Sequence, residues 1–243
     1  GSGVNISSGL DWVFSMVDRA IILKDDVVPD PTFFHYCEDL LEYYADDDRI
    51  GMIGGNKLAS KIIPEQEGSY YFSNYPMIWG WATWKRAWEK MDFELSLWPD
   101  LKDNDAWLIE KIADEDRLNY WKKIFNNLYS EKRKKVWGYQ WYFSLWTQNM
   151  LCIIPSVNLT KNIGFGENAT NTKSDGRELS SIPVEQMVFP LIQPKGIYRN
   201  IEMDILLSKR IYRPYRKDKR PLIVRFKRTM RKILEVVREE LFS

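Results

Sequence analysis

The stretch Ala20-Ile21-Ile22-Leu23-Lys24-Asp25-Asp26, followed by the turn Val27-Val28-Pro29-Asp30-Pro31, decides the fold. Four consecutive apolar residues, two of them β-branched, read as a strand buried on both faces. Its far end runs into two adjacent carboxylates. In an open α/β sheet, ligands sit outside the carboxyl ends of the strands, so acids placed there face a cleft. Continued strand geometry would point Asp25 and Asp26 to opposite sides, leaving one for a hard cation and the other for a hydroxyl. A solvated acidic turn accounts equally well for these residues taken alone.

Upstream, Ser8-Gly9-Leu10-Asp11 has capping-box-like spacing, and Leu10, Val13, Phe14 and Val17 recur on one helical face, which predicts a helix from Ser8 to Asp18. Downstream, Asp30 caps a helix with Pro31 at its first position and Phe33, Cys37, Leu40, Leu41 and Tyr44 as its buried stripe. Ile50-Gly51-Met52-Ile53 is a second buried strand, closed by Gly54-Gly55. Helix, strand, helix, strand is an α/β pattern. His35, the single histidine, falls on the polar face of the second helix, so Ser-His-Asp catalysis and histidine-rich metal sites have no residues to build on unless His35 serves them.

Residues 56–67 read as loop and Ser69–Ser73 as strand. Trp81, Trp84 and Trp88 share a helical spacing that suits core packing. Trp79-Gly80 differs, because a glycine between two indoles admits backbone or ligand closely, and a saccharide contact is one reading of it. From Asp100 to Lys135 the chain is charged and helical, with Trp107, Ile109, Ile112, Leu118, Trp121 and Phe125 inward and the charges on a solvated face. An aromatic helix then opens at Val136-Trp137-Gly138-Tyr139-Gln140-Trp141. The β-like run Leu151–Pro155 precedes the glycine-bearing loop Ile163-Gly164-Phe165-Gly166-Glu167.

With 243 residues and an apolar fraction of 44%, the chain supports a real core. Its net charge of +1 is uneven: Lys209–Lys232 carries +11, while residues 1–208 carry −8. Cys37 and Cys152 are far apart in apolar surroundings, as buried thiols are, without a zinc or disulfide pattern. No apolar run approaches the ~20 residues of a membrane span.

Taken in order, the motifs resemble a bacterial family of glycosyltransferase A-type proteins, the hemolytic-protein-like group related in layout to N-acetylglucosaminyltransferase I. The matching residues are Ser7–Trp12, Ile21–Asp26, Pro29–Pro31, Ser69–Ser73, Ile78–Trp84, Trp137–Trp141, Asn162–Gly166, Pro183–Glu185 and Phe189–Leu191, within residues 3 to 212. The resemblance implies a Rossmann-like, mostly parallel sheet flanked by helices, with the family's first strands upstream of Gly1. It implies a catalytic domain over 1–212 that transfers a sugar from a nucleotide-diphosphate donor to a glycan or similar acceptor, aided by Mn²⁺ or Mg²⁺. Asp26 is then the metal ligand, with Asn171 a weaker one, and Asp25 a ribose or metal-water contact. Lys24, Trp79, Gly80, Trp81, Trp137, Gln140, Gly164 and Gly166 are the expected substrate contacts. Three positions depart from the family's pattern. Lys24 replaces an acid, Gly138 replaces the aspartate expected to act as base, and Asn171 replaces a histidine; Glu167 is the carboxylate left to take over as base. The alternative is a degenerate pseudo-transferase that binds a glycan or a protein.

Residues 213–243 lie mostly outside the resemblance. Ile223, Phe226, Met230, Ile233, Val237 and Leu241 line one face of a basic amphipathic helix. It suits an anionic membrane surface, and hence a cytoplasmic enzyme at the inner face of the membrane, or docking on its own domain or a second subunit. Nucleic acid is the least supported partner.

Overall fold

The computed structural model describes residues 2–58, 68–130, 136–164 and 181–211. All of them belong to the unit Gly1–Tyr212; the basic tail lies outside the described residues. Seven strands are described: β1 (Arg19–Ile22), β2 (Val27–Pro29), β3 (Ile50–Gly54), β4 (Tyr70–Ser73), β5 (Trp81–Trp84), β6 (Leu151–Pro155) and β7 (Thr160–Asn162). The helices are α1 (Ser2–Phe14), α2 (Thr32–Tyr43), the short α3 (Lys85–Trp88) and α4 (Trp98–Leu101), α5 (Asp105–Ile112), α6 (Leu118–Ser130), α7 (Gly138–Thr147) and α8 (Ile201–Ile211).

The α/β class holds, but the sheet is not mostly parallel. Its order is β1-β5-β3-β6-β4, and of the neighbouring pairs only β3–β6 is parallel. Apolar runs specify that a strand is buried, not which way it points, and β5 runs against both of its neighbours. Following the pairings, β1, β3 and β6 nonetheless share one direction. Their carboxyl ends therefore meet on one rim, where β5 starts.

Both faces of the sheet are covered. On one, Phe33, Tyr36, Cys37, Leu40 and Leu41 of α2 pack on Ile53, Phe72, Ala82 and Ile153. On the other, Trp141, Phe143, Leu145 and Trp146 of α7 and Trp121 and Phe125 of α6 pack on Met52, Trp81 and Ile154. β1 follows this alternation, with Ile21 on the α2 side and Ala20 and Ile22 on the other. It is not fully buried as expected: all three are half-buried, and among the described residues β1 pairs with one strand, β5.

Two helix readings also shift. α1 begins at Ser2 and ends at Phe14, so it is not the Ser8–Asp18 helix; Ile6, Leu10 and Phe14, at spacings of four, are what it turns inward. Trp81 and Trp84 lie on a strand, although they are core residues as their spacing suggested. The charges between Asp100 and Lys135 are not all solvated. Lys111, Asp114 and Arg117 are buried, and each has a partner, Lys111 Nζ donating to Asn149 Oδ1 at 2.6 Å and Asp114 Oδ2 accepting from Ser208 Oγ at 3.1 Å. Among the described residues no helix is long and apolar enough to cross a membrane.

Candidate active site

Lys24, Asp25 and Asp26 form the turn that leaves β1 at the shared rim, closed by Val27 N–H donating to Lys24 O at 3.1 Å. Asp25 is exposed and Asp26 half-buried, so the two acids do divide between solvent and protein, through a turn and not through strand alternation. The chain then enters the small β2–β7 ribbon, in which Val27 faces Asn162. That pairing brings the glycine-bearing loop onto the acids. Ile163 N–H donates to Asp26 O at 2.8 Å, and a Cβ added to Gly164 would lie 2.8 Å from Asp26 Cβ. Only a glycine lets the loop close on this carboxylate. Asn162 holds the bend by accepting from Gly164 N–H at 2.8 Å.

Trp79-Gly80 joins the same rim. Gly80 has φ +73°, and a Cβ there would lie 2.7 Å from Thr160 Cγ2 and 3.4 Å from both Leu23 and Val27, the residues flanking the acidic turn. Thr160 Oγ1 donates to Trp79 O at 2.6 Å, and Gly55 N–H, just past β3, donates to Gly80 O at 2.8 Å. Gly80→Ala combines left-handed backbone with this clash, and is expected to lower stability by about 1–3 kcal/mol in urea denaturation. A loss below about 0.5 kcal/mol would show that the rim yields there.

The other expected contacts divide by burial. Trp79 is half-buried and reaches the surface. Trp81 and Trp137 are buried and stacked on each other, with ring centroids 5.5 Å apart at 24°, and Gln140 is buried beside them in α7. These three side chains belong to the core under the rim and do not form an open saccharide wall. Gly138 starts α7, and an added Cβ there would lie 3.2 Å from Ile78 Cδ1, so position 138 adjoins the segment leading into Trp79. Gly166, Glu167 and Asn171 lie outside the described residues. His35 is at the surface as expected, 3.3 Å from Asp39 and stacked on Phe189. Cys37 and Cys152 are buried free thiols, and burial pushes both up.

Asn56 was not foreseen. It lies two residues past β3, is buried, and its Oδ1 has no hydrogen-bond partner among the described residues. A polar residue right after Gly54-Gly55 was the available signal.

Among the described residues, a cation already occupies the place beside the expected metal ligand Asp26. Lys24 Nζ lies 3.2 Å from Asp26 Oδ2, and Asp26 Oδ1 is enclosed without a hydrogen-bond partner. An ion on this carboxylate would sit about 5 Å from the ammonium, a repulsion of roughly 7 kcal/mol at an effective dielectric constant of about 20. Among the described residues no three His, Cys, Asp or Glu side chains gather into a metal-binding group. No protein-family model matches the chain, and no curated protein matches it.

Proposed function

We propose that this chain is a glycosyltransferase of the A-type fold, moving a sugar from a nucleoside diphosphate to a hydroxyl of a glycan or similar acceptor. The observation that carries this reading is the seating of the Asp26 carboxylate on Gly164, at the rim where β1, β3 and β6 end and Trp79-Gly80 enters. Three segments distant in sequence converge there with glycines at the points of closest approach, as a site that admits a ligand requires.

In the reaction an acceptor oxygen bonds to the sugar's anomeric carbon and the bond from that carbon to the diphosphate breaks. The bonding pair leaves with the diphosphate, and the hydroxyl proton passes to a base. Position 138 carries no such base, and Glu167 is the residue proposed to take the proton. Asp25, exposed at the rim, is the proposed acceptor of a hydrogen bond from a donor hydroxyl. Gly138 also favours a second reading, a pseudo-transferase that binds the same donor without turning it over.

Calorimetric titration of the full chain with UDP- and GDP-sugars tests both readings. Wild-type protein is expected to bind one of them, and Gly164→Ala, which drives a methyl group into Asp26, is expected to weaken binding at least about tenfold, the loss of one charge-assisted contact. Absence of binding to either donor, with and without Mn²⁺, overturns the proposal. Sugar release from bound donor then separates enzyme from pseudo-enzyme.

A further inference from the structure

We propose that Lys24 supplies the positive charge at this rim, so that the site binds the diphosphate of its donor without a divalent metal ion. This rests on the transferase reading and specifies how its donor is held.

One oxygen of Asp26 is enclosed and the other is already paired with a cation. Oδ1 is enclosed by the fold, and Oδ2 faces the Lys24 ammonium and the Gly164 backbone. The ammonium itself is differently placed. The Lys24 side chain is 34% exposed, held by Asp26 yet still reached by solvent, and Asp26 Oδ2 is its partner among the described residues. An ammonium has three N–H donors, so two remain for phosphate oxygens. Lysine recognises phosphate in this way, as a point charge on a flexible stem.

Two other lysines near the sheet do not offer this. Lys57 lies just past β3, but its ammonium donates to Ser156 O, and burial pushes its pKa down. Lys111 is buried and taken up by Asn149 and Glu110. Lys24 combines a fixed anchor, an open face and a position beside the two acids.

The carboxylate next to it has a matching role. Asp26 is braced by Gly164 and by the Val27–Asn162 pairing, so it fixes the direction of the ammonium as the carboxylate of an ion pair does when one partner is immobile. Lys24, Asp25 and Asp26 sum to −1, so a diphosphate is retained by directed, charge-assisted hydrogen bonds more than by net attraction. Charge on the leaving diphosphate is met by N–H donors already in place, which is the general way a preorganised site stabilises a developing anion.

The test is calorimetry on the full chain with UDP, GDP and inorganic pyrophosphate, each in EDTA and in Mn²⁺. Wild-type affinity for a binding probe is expected to differ by less than about twofold between the two conditions. Lys24→Ala is expected to lose about tenfold to a hundredfold in either, the equivalent of one charge-assisted hydrogen bond. Lys24→Glu, which adds a carboxylate beside Asp26, is expected to bind only with Mn²⁺. Lys24 is partly exposed, and thermal melts of both variants check that they fold. Wild-type binding that vanishes in EDTA and returns with Mn²⁺ overturns the inference alone, as does unchanged binding by Lys24→Ala. No binding of any probe under either condition overturns the transferase reading, and the inference with it.

Discussion

Replacing Arg199 by methionine is expected to lower the unfolding free energy by about 3–5 kcal/mol, a large share of the ~5–15 kcal/mol that holds a typical domain together. Asp204 in α8 is fully buried. Its Oδ2 accepts from Arg199 Nε at 2.5 Å and from Asn74 N–H at 3.0 Å, and its Oδ1 accepts from Ser73 Oγ. Arg199 also donates to Lys111 O at 2.7 Å and to Glu110 O, where α5 ends. One guanidinium therefore ties α8, the end of β4 and the last turn of α5 together. Without it a carboxylate stays buried with only two neutral donors, and two helix carbonyls lose a partner.

The pH dependence follows from Asp204. Burial pushes its carboxyl up, against the lowering influence of Arg199, Ser73 and Asn74. A carboxyl raised above its unfolded value of about 3.9 stabilises the fold fully below that value, and the contribution is lost as pH rises through the folded pKa. Removing Arg199 raises the folded pKa further and widens that window upward. The deficit of Arg199→Met should thus be larger at about pH 8 than at about pH 5 in urea denaturation. The double variant Arg199→Met/Asp204→Leu should recover most of the loss, because an apolar pair leaves no buried charge. A single-variant cost under about 1 kcal/mol, or a deficit that grows toward acid, would show that the network carries no such weight.

That network also marks where sequence reading stopped. α2 was legible in its existence and most of its buried stripe, because an apolar stripe is a local signal. The helix nonetheless starts at Thr32 with Pro31 and not Asp30 at its N-cap, and the buried Tyr36 was missed. Asp30 Oδ1 accepts from Thr32 N–H at 2.8 Å, and Phe33, Cys37, Leu40 and Leu41 are among the residues turned inward. β3 and β6 were legible as short apolar runs. The direction of β5 was not, since it is set by how the segment after β4 returns to the rim, which no local pattern encodes. Arg199 and Asp204 pair across five positions, but their other partners lie 88 to 131 positions away in sequence. Nothing nearby distinguishes them from surface charges.

The rim divides in the same way. Asp25-Asp26 at a strand end and the glycines at 80 and 164 were visible, because adjacent acids and glycines in otherwise bulky surroundings are unusual on their own. That Gly164 seats on Asp26 follows from the pairing of Val27 with Asn162, a contact across 135 positions. Trp81, Trp137 and Gln140 appeared as contacts because aromatic and amide side chains suit both sugars and cores. Burial decides between the two uses, and it places them in the core.

Installing aspartate at position 138 is expected to raise turnover of a bound donor by about 10²–10⁴, the contribution of a positioned general base. The backbone accepts the change. Gly138 is the first residue of α7, and among the described residues an added Cβ meets only Ile78 Cδ1 at 3.2 Å, the far end of a side chain able to move. An acid in the first turn is favoured by the helix dipole by about 0.3–1 kcal/mol, and replacing a helical glycine also reduces the entropy lost on folding. Gly138→Asp should therefore melt no lower than wild type, so a change in rate is not a change in folding. A base must be deprotonated to act, so the added rate should rise with pH through the carboxylate range. Gly138→Asn fills the same space without a titrating group and should show no gain. Should Gly138→Asp bind donor as wild type does and gain nothing, the acceptor does not approach past Ile78 and Trp79, and the chain is better described as a donor-binding pseudo-transferase.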